Sequence, residues 1–266
     1  MSSPARIGLD ARMDKPWMTG LGRYARSVVG ALTRLHTPDI RWVVIKHPTM
    51  AGVRFAPRDA DVEEVVIPGD LDTLENLRAG PRINALGLDL YHALENFVPP
   101  RLRAGRVVVT THDLVWVEQP GLTMRGRLDL LRTPAIKVYG TLTMGHAFHR
   151  ADTIISVSEA TRQVALKRFS FLAPESIATV HHGVDRESFP PREGPESEDP
   201  YLMVLGNTRP YKNIPAALEG FARLEDRRVR MAIAGRGDWF QPLSRLARRL
   251  GVEDRITFHQ RASDHE

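Results

Sequence analysis

The sequence predicts an α/β protein built from two Rossmann-like, doubly wound parallel sheets. Three observations carry that expectation. Short apolar runs of strand length recur along the 266 residues, and stretches with apolar residues at helical spacing lie between many of them. Several runs end in turns bearing glycine, proline or histidine, and the carboxyl ends of strands are where open α/β sheets bind ligands. The hydrophobic fraction of 42% over this length is enough for two modest cores.

The first strand, Arg6–Asp10, leads through a loop to Gly20, Gly22 and Tyr24. Leu21, Tyr24, Ala25, Val28, Val29 and Leu32 then form one face of a helix. Gly20, Gly22 and Ala25 formally fit the dinucleotide fingerprint, yet two features count against a nicotinamide site. The loop of about nine residues is too long for that tight turn, and the next strand, Arg41–Lys46, ends without a ribose-binding acid. A glycine loop required only for backbone geometry explains the same residues.

Further strands are Val62–Ile67, Leu88–Tyr91 and Val107–Thr111, the last running into His112, Asp113 and Leu114. A histidine beside an acid at the carboxyl end of a buried strand occupies the functional edge of such a sheet, although a single histidine is more often structural. From Thr123 to His149 runs an arginine-rich stretch that reads as one helix interrupted at Pro134. There Arg125, Arg127, Arg132 and Lys137 interleave with Leu128, Leu130, Leu131 and Val138. Both a membrane-surface helix and a half-buried helix with a solvated basic face account for that pattern.

Strand Thr153–Val157 meets Ser158, a helix cap, with Glu159 in the first turn. Strand Ile177–Val180 ends in His181, His182, Gly183, Val184 and Asp185. Adjacent histidines invite a metal reading, but neighbours on a strand point to opposite faces and do not readily share an ion, so no metal site is assigned. From Asp185 to Pro200 prolines and acids without apolar periodicity read as a hinge. The predicted organisation is a first domain over 1–184, a linker over 185–200 and a partial second domain over 201–266.

The second domain opens with Tyr201–Leu205, followed by a segment that carries Gly206, Asn207, Arg209, Pro210, Lys212 and Asn213. Helix N-terminal N–H groups carry partial positive charge, and a neighbouring lysine adds a full one, so this turn reads as a phosphate cradle. An ordinary strand-to-helix turn would also hold these residue types. Asn213 is the predicted cap and Pro215 sits in the first turn, ahead of Ala217, Leu218, Phe221 and Ala222. Strand Val229–Ala234 then runs into Gly235, Gly237 and Asp238. Leu243, Leu246, Ala247 and Leu250 mark another helix, and Arg255–Phe258 a third strand, completing a βαβαβ unit.

With these motifs in this order, nearly the whole chain resembles the retaining glycosyltransferases of family 4, which have the GT-B architecture of two facing Rossmann-like domains. The resemblance implies transfer of a sugar, with retention, from a nucleotide-diphosphate sugar to a glycan or lipid-linked acceptor in polysaccharide biosynthesis. It implies no obligatory metal and no cofactor beyond the donor substrate. His112 resembles a group that hydrogen-bonds the transferred sugar, and Lys212 and then Arg209 are the candidate stabilisers of the leaving diphosphate. Gly20 and Gly22 match the glycine loop near the donor phosphates. Asn207, Gly235, Gly237, Gln260 and Arg261 match the donor pocket. Two positions depart from the family: Asn207 stands where many relatives carry arginine after the turn glycine, and His182 replaces an asparagine.

Arg261–Glu266 matches a point about midway through the family's donor domain. The alternative expectation is therefore a non-catalytic nucleotide- or partner-binding remnant of such an enzyme.

Charge and composition narrow the partners. There is no cysteine, which excludes disulfides and thiolate metal sites. The net charge of +5 and pI near 9.8 favour anionic partners. The basic residues are spread along the chain and form no nucleic-acid-binding pattern, so no nucleic acid is expected. Without an apolar signal core or a run near the ~20 apolar residues of a membrane span, the expected location is cytoplasmic, with peripheral contact on the inner face of the membrane.

Overall fold

A computed structural model of the chain describes residues 3–16, 20–35, 37–58, 60–70, 74–123, 132–184, 200–206, 210–235 and 240–260. Two compact units emerge, one of residues 1–117 with 137–189 and the other of 118–136 with 190–266. The predicted linker lies almost wholly outside the described residues.

The first unit holds seven strands in one sheet: β1 (Ala5–Asp10), β2 (Ile40–Lys46), β3 (Val62–Val66), β4 (Leu90–Ala93), β5 (Arg106–Thr111), β6 (Thr153–Ser156) and β7 (Ile177–Thr179). Their order is β3-β2-β1-β4-β5-β6-β7, every pair parallel. The order reverses direction between β1 and β4, and the carboxyl ends of these two strands form the crevice where such sheets place ligands.

Alternation along the strands sorts the side chains onto two faces. On one face Leu9, Val44 and Leu94 share a core with Ala25 and Val29 of helix α1 (Gly20–Thr33). The opposite face presents Val43, Ile45, Tyr91, Ala93, Val107 and Val109. These meet Ile83 of α2 (Ala79–Asn84), Met144 and Phe148 of α4 (Thr133–Arg150) and Ala165 of α5 (Glu159–Arg168). A short helix α3 (Val115–Glu118) follows β5. Each fully buried Val, Leu or Phe in these layers contributes roughly 1.5–3 kcal/mol.

Pro134 is the second residue of α4, where its missing N–H has no intrahelical partner to lose; residues 124–131 of the predicted stretch lie outside the described residues. Ser158 caps α5 as expected: Thr161 N–H donates to Ser158 Oγ at 3.1 Å.

At the switch point a polar group is sealed inside the unit. The Arg12 guanidinium, wholly buried, donates to Asp10 at 2.6 and 2.9 Å, to the Gly69 carbonyl at 3.2 Å and to Asn76 Oδ1 at 3.1 Å. Tyr91 Oη donates to the same Asp10 carboxylate. Burial by itself would lower the Arg12 pKa, but Asp10 outweighs it and holds the guanidinium charged. This network pins the chain leaving β1 to the loop that follows β3.

The second unit is a three-stranded parallel sheet, β10-β9-β8, of β8 (Tyr201–Leu205), β9 (Arg230–Ala234) and β10 (Ile256–His259). Helices α6 (Ile214–Ala222) and α7 (Phe240–Arg249) place Ile214, Leu218, Phe221, Leu243 and Ala247 over Met231 and Ile233. Arg255, itself buried, lies over the Phe221 ring at 4.4 Å. On β8, Tyr201, Met203 and Leu205 remain 63%, 56% and 72% exposed. Among the described residues no helix is long and apolar enough to cross a membrane.

Candidate functional site

In the first unit the predicted His112 stands just past the carboxyl end of β5, partly buried. Its Nε2–H donates to the Leu94 carbonyl at 3.0 Å, since a carbonyl can only accept. The neutral ring therefore keeps Nδ1 as an acceptor. Asn96 secures the backbone beneath it, accepting from His112 N–H at 3.3 Å and donating from Nδ2 to the Asp113 carbonyl at 3.1 Å. Burial pushes the His112 pKa below the ordinary histidine value; the hydrogen bond to Leu94 and the Asp113 charge oppose this, and His182 adds to it.

Around His112 lies a cluster that the sequence did not reveal. Tyr24, on α1, meets the His112 ring edge-on, with centroids 4.6 Å apart and planes at 85°. The exposed His182 ring lies 4.8 Å from Tyr24 and 5.7 Å from His112. Because β7 ends at Thr179, His181 and His182 lie beyond the strand, so strand alternation does not govern their directions. Among the described residues no group of three or more His, Cys, Asp or Glu side chains is placed to hold a metal ion. Tyr24 was legible only as part of a helix face; Asn96, Thr110 and His92 gave no local signal. Polar residues two positions apart at the end of one strand, Thr110 and His112, were the available clue.

His92 Nε2 and Thr110 Oγ1 are hydrogen-bonded at 2.9 Å, and Thr110 Oγ1 lies 3.2 Å from Tyr24 Oη. Burial drives the His92 pKa from 6.5 to about 4, so the ring is neutral in the folded protein. The unfolded chain takes up this proton first, so stability present above pH 6.5 is lost as the pH falls toward 4. The expected loss over that window is about 3 kcal/mol from this residue. Urea unfolding at several pH values should show a clearly shallower acid slope for His92→Gln than for the wild type, with His112 contributing part of what remains. Equal slopes would contradict the assignment.

Gly20 is the exposed first residue of α1, with no heavy atom within 4 Å of where a Cβ would stand. Gly22 is buried, and a Cβ there would come within 2.5 Å of Asp14 Oδ1 and 3.3 Å of Asp14 Cα. Close helix–loop packing thus accounts for Gly22.

In the second unit, Gly206 (φ 136°) ends β8 in the left-handed region that favours glycine. Its N–H donates to Ala234 O at 3.0 Å, while Gly235 N–H donates to His259 O at 3.0 Å. A Cβ on Gly235 would lie 1.7 Å from the Gly206 carbonyl oxygen. Lys212 is exposed at the end of a short 3-10 turn, Pro210–Lys212. Its Nζ is 5.6 Å from the Tyr211 ring centre, and its Cε is 3.9 Å from where a Gly206 Cβ would stand. Gln260 is exposed directly after β10. It lines a shallow groove with Phe240, Gln241, Ser244, Arg245 and Phe258. Arg209, Asn207, Gly237 and Arg261 lie outside the described residues.

One sequence expectation here needs correction. Asn213 occupies the position before α6, but in a left-handed conformation (φ 47°) and without a side-chain hydrogen bond. It turns the chain into the helix and does not cap it with its amide.

Gly206 and Gly235 thus approach closely at the ends of adjacent strands, with the exposed Lys212 beside the first of them. Residues 185–266, which include both glycines and Lys212, match the family model described as glycosyl transferases group 1. That match spans less than a third of the chain. The O-antigen chain mannosyltransferase RfbU of Salmonella typhimurium is 22% identical over 130 residues, covering 49% of this chain and 36% of RfbU. The chain thus aligns with little more than a third of that relative's length. Among solved structures, the Anabaena protein HepE, in complex with UDP and glucose, superposes with a TM-score of 0.62 at 13% identity, over 98% of this chain and 70% of HepE. A glycosyltransferase from Rickettsia africae superposes with a TM-score of 0.60 at 11% identity, over 99% and 70%. The likeness is one of fold: the GT-B class expected from the sequence, with two Rossmann-like parallel-sheet units.

Proposed function

We propose that this chain is a group 1 glycosyl transferase that takes part in transfer of a hexosyl group of the mannosyl type, with retention, from a nucleotide-diphosphate sugar to a glycan or lipid-linked acceptor. The observation that carries the reading is the exposed Lys212 beside the Gly206 strand-end turn, inside the segment that matches the family. In such a transfer the bond from the anomeric carbon to the diphosphate oxygen breaks, the acceptor hydroxyl oxygen bonds to that carbon and gives its proton to the leaving phosphate, on which negative charge grows in the transition state. Preorganised positive charge is the main means of lowering that barrier. Lys212 supplies a full charge; Arg209, nearby in sequence, is the second candidate. His112, neutral and with Nε2–H committed to Leu94, offers Nδ1 to a hydroxyl of the transferred sugar. The donor itself is the only small molecule this reading requires.

Lys212→Ala should weaken binding of a nucleoside diphosphate by about 1.5–3 kcal/mol while leaving the nucleoside nearly unaffected, the worth of hydrogen bonding to a charged group. Titration calorimetry with UDP and uridine reads the difference. His112→Ala should lower turnover of a nucleotide sugar and leave UDP affinity in place. Equal losses of diphosphate and nucleoside binding, or unaltered turnover in a folded His112 variant, would count against the reading.

A membrane-side acceptor fits one further feature. Helix α4 carries no acidic residue, and along its length Val138 and Leu142 are 58% and 67% exposed. Phe171, 52% exposed, lies against His149 at 5.7 Å. With Lys137 alongside, this surface suits an anionic bilayer. Co-sedimentation with phosphatidylglycerol-containing vesicles should exceed that with phosphatidylcholine alone and fall in Leu142→Glu; indifference to both changes would refute the contact.

A further inference from the structure

We propose that Tyr24 is the positioning residue of the first unit's site: anchored through Thr110 to His92, its ring holds His112 in place. The inference rests on reading His112 as the sugar-contacting group. The three links are the Tyr24–Thr110 contact at 3.2 Å, the Thr110–His92 contact at 2.9 Å and the edge-on Tyr24–His112 packing at 4.6 Å.

The chain of hydroxyl and imidazole lies on the α1 face of the sheet, where its neighbours Leu9, Ala25, Val29 and Leu94 are apolar. Thr110 is wholly buried and His92 8% exposed. Buried polar groups in such a layer cost stability unless each is satisfied, and valine and phenylalanine would fill the same space as Thr110 and Tyr24 without that cost. Packing therefore does not call for these hydroxyls; orientation does. Thr110 has one hydroxyl proton, so it donates to one neighbour and accepts from the other. A hydrogen bond at Oη, whichever oxygen donates, restrains where the tip of the Tyr24 ring sits and so the axis of the ring. His112 is then held from two directions, by Leu94 O at Nε2 and by the Tyr24 ring, with His182 against Tyr24 and Asp113 next in sequence as the nearby titratable groups.

The test compares Tyr24→Phe, Thr110→Val and Thr110→Ser by NMR of the His112 ring in the 266-residue chain without substrate. The ring's Cε1–H and Cδ2–H shifts report the orientation of Tyr24, and their titration reports how well His112 is shielded. Tyr24→Phe and Thr110→Val should displace both resonances and raise the titration midpoint toward 6.5, and Thr110→Ser, which keeps the hydroxyl, should restore wild-type values. Unmoved resonances in folded Tyr24→Phe would overturn the proposal, as would equal displacement in Thr110→Ser and Thr110→Val. Should Thr110→Val fail to fold, Tyr24→Phe, which removes a single oxygen, decides alone. Because the shifts are read without donor or acceptor, absent sugar transfer by the wild type would refute the functional reading and leave this result standing, and unmoved shifts would do the reverse.

Discussion

Arg12→Ala is expected to destabilise the first unit by about 3–5 kcal/mol, because it strands the buried Asp10 carboxylate without its cation. The variant also removes donors to the Gly69 carbonyl at 3.2 Å and Asn76 Oδ1 at 3.1 Å, the ties between the β1 exit and the loop after β3. An exposed arginine provides the contrast. Arg41 approaches Glu63 only at 3.8 Å, with its side chain 55% exposed, and Arg41→Ala should cost about 0–1 kcal/mol. Urea unfolding of both variants measures the difference. A loss for Arg12→Ala as small as that for Arg41→Ala would mean that the sealed network contributes nothing beyond a surface pair. The consequence for function is that this network sits at the carboxyl end of β1, the strand beside β4 at the switch point, so its loss should loosen the edge on which the site is built.

Gly235→Ala should destabilise the second unit by about 3 kcal/mol, at the upper end for overpacking. The new methyl would meet backbone, the Gly206 carbonyl oxygen at 1.7 Å and its carbon at 2.8 Å, and neither can swing aside as a side chain could. Relief requires the ends of β8 and β9 to separate, which displaces the Gly206 turn and with it Lys212. Weaker diphosphate binding should therefore accompany the lost stability. Gly220 is the internal control: it lies exposed within α6 with no heavy atom within 4 Å of a built Cβ, so Gly220→Ala should stabilise by about 1 kcal/mol. Hydrogen exchange across residues 201–260 distinguishes them, with faster exchange in Gly235→Ala and equal or slower exchange in Gly220→Ala. Similar protection in the two variants would refute the close approach.

Sequence by itself determined the α/β class and the succession of strands, because burial on both faces makes parallel strands read as short apolar runs whatever their neighbours. It also marked the Gly206–Asn213 turn and His112, since glycine at a strand end and histidine beyond one are local signals. Strand order was beyond its reach. That β4 lies beside β1, which brings Leu94 and Asn96 to His112, depends on pairing between segments distant in the chain. A local rule also misread one helix start, at Asn213, where the backbone conformation decides whether an amide caps the helix. Only the tertiary structure decided what surrounds the predicted residues. Asp10 and Arg12 are unremarkable as letters and become a sealed ion pair through burial. Gly235 reads as a pocket wall and is required first by a backbone contact. Tyr24, Thr110 and His92 come from a helix and two strands, and their hydrogen bonds exist only because packing α1 on the sheet removes competing water from all three.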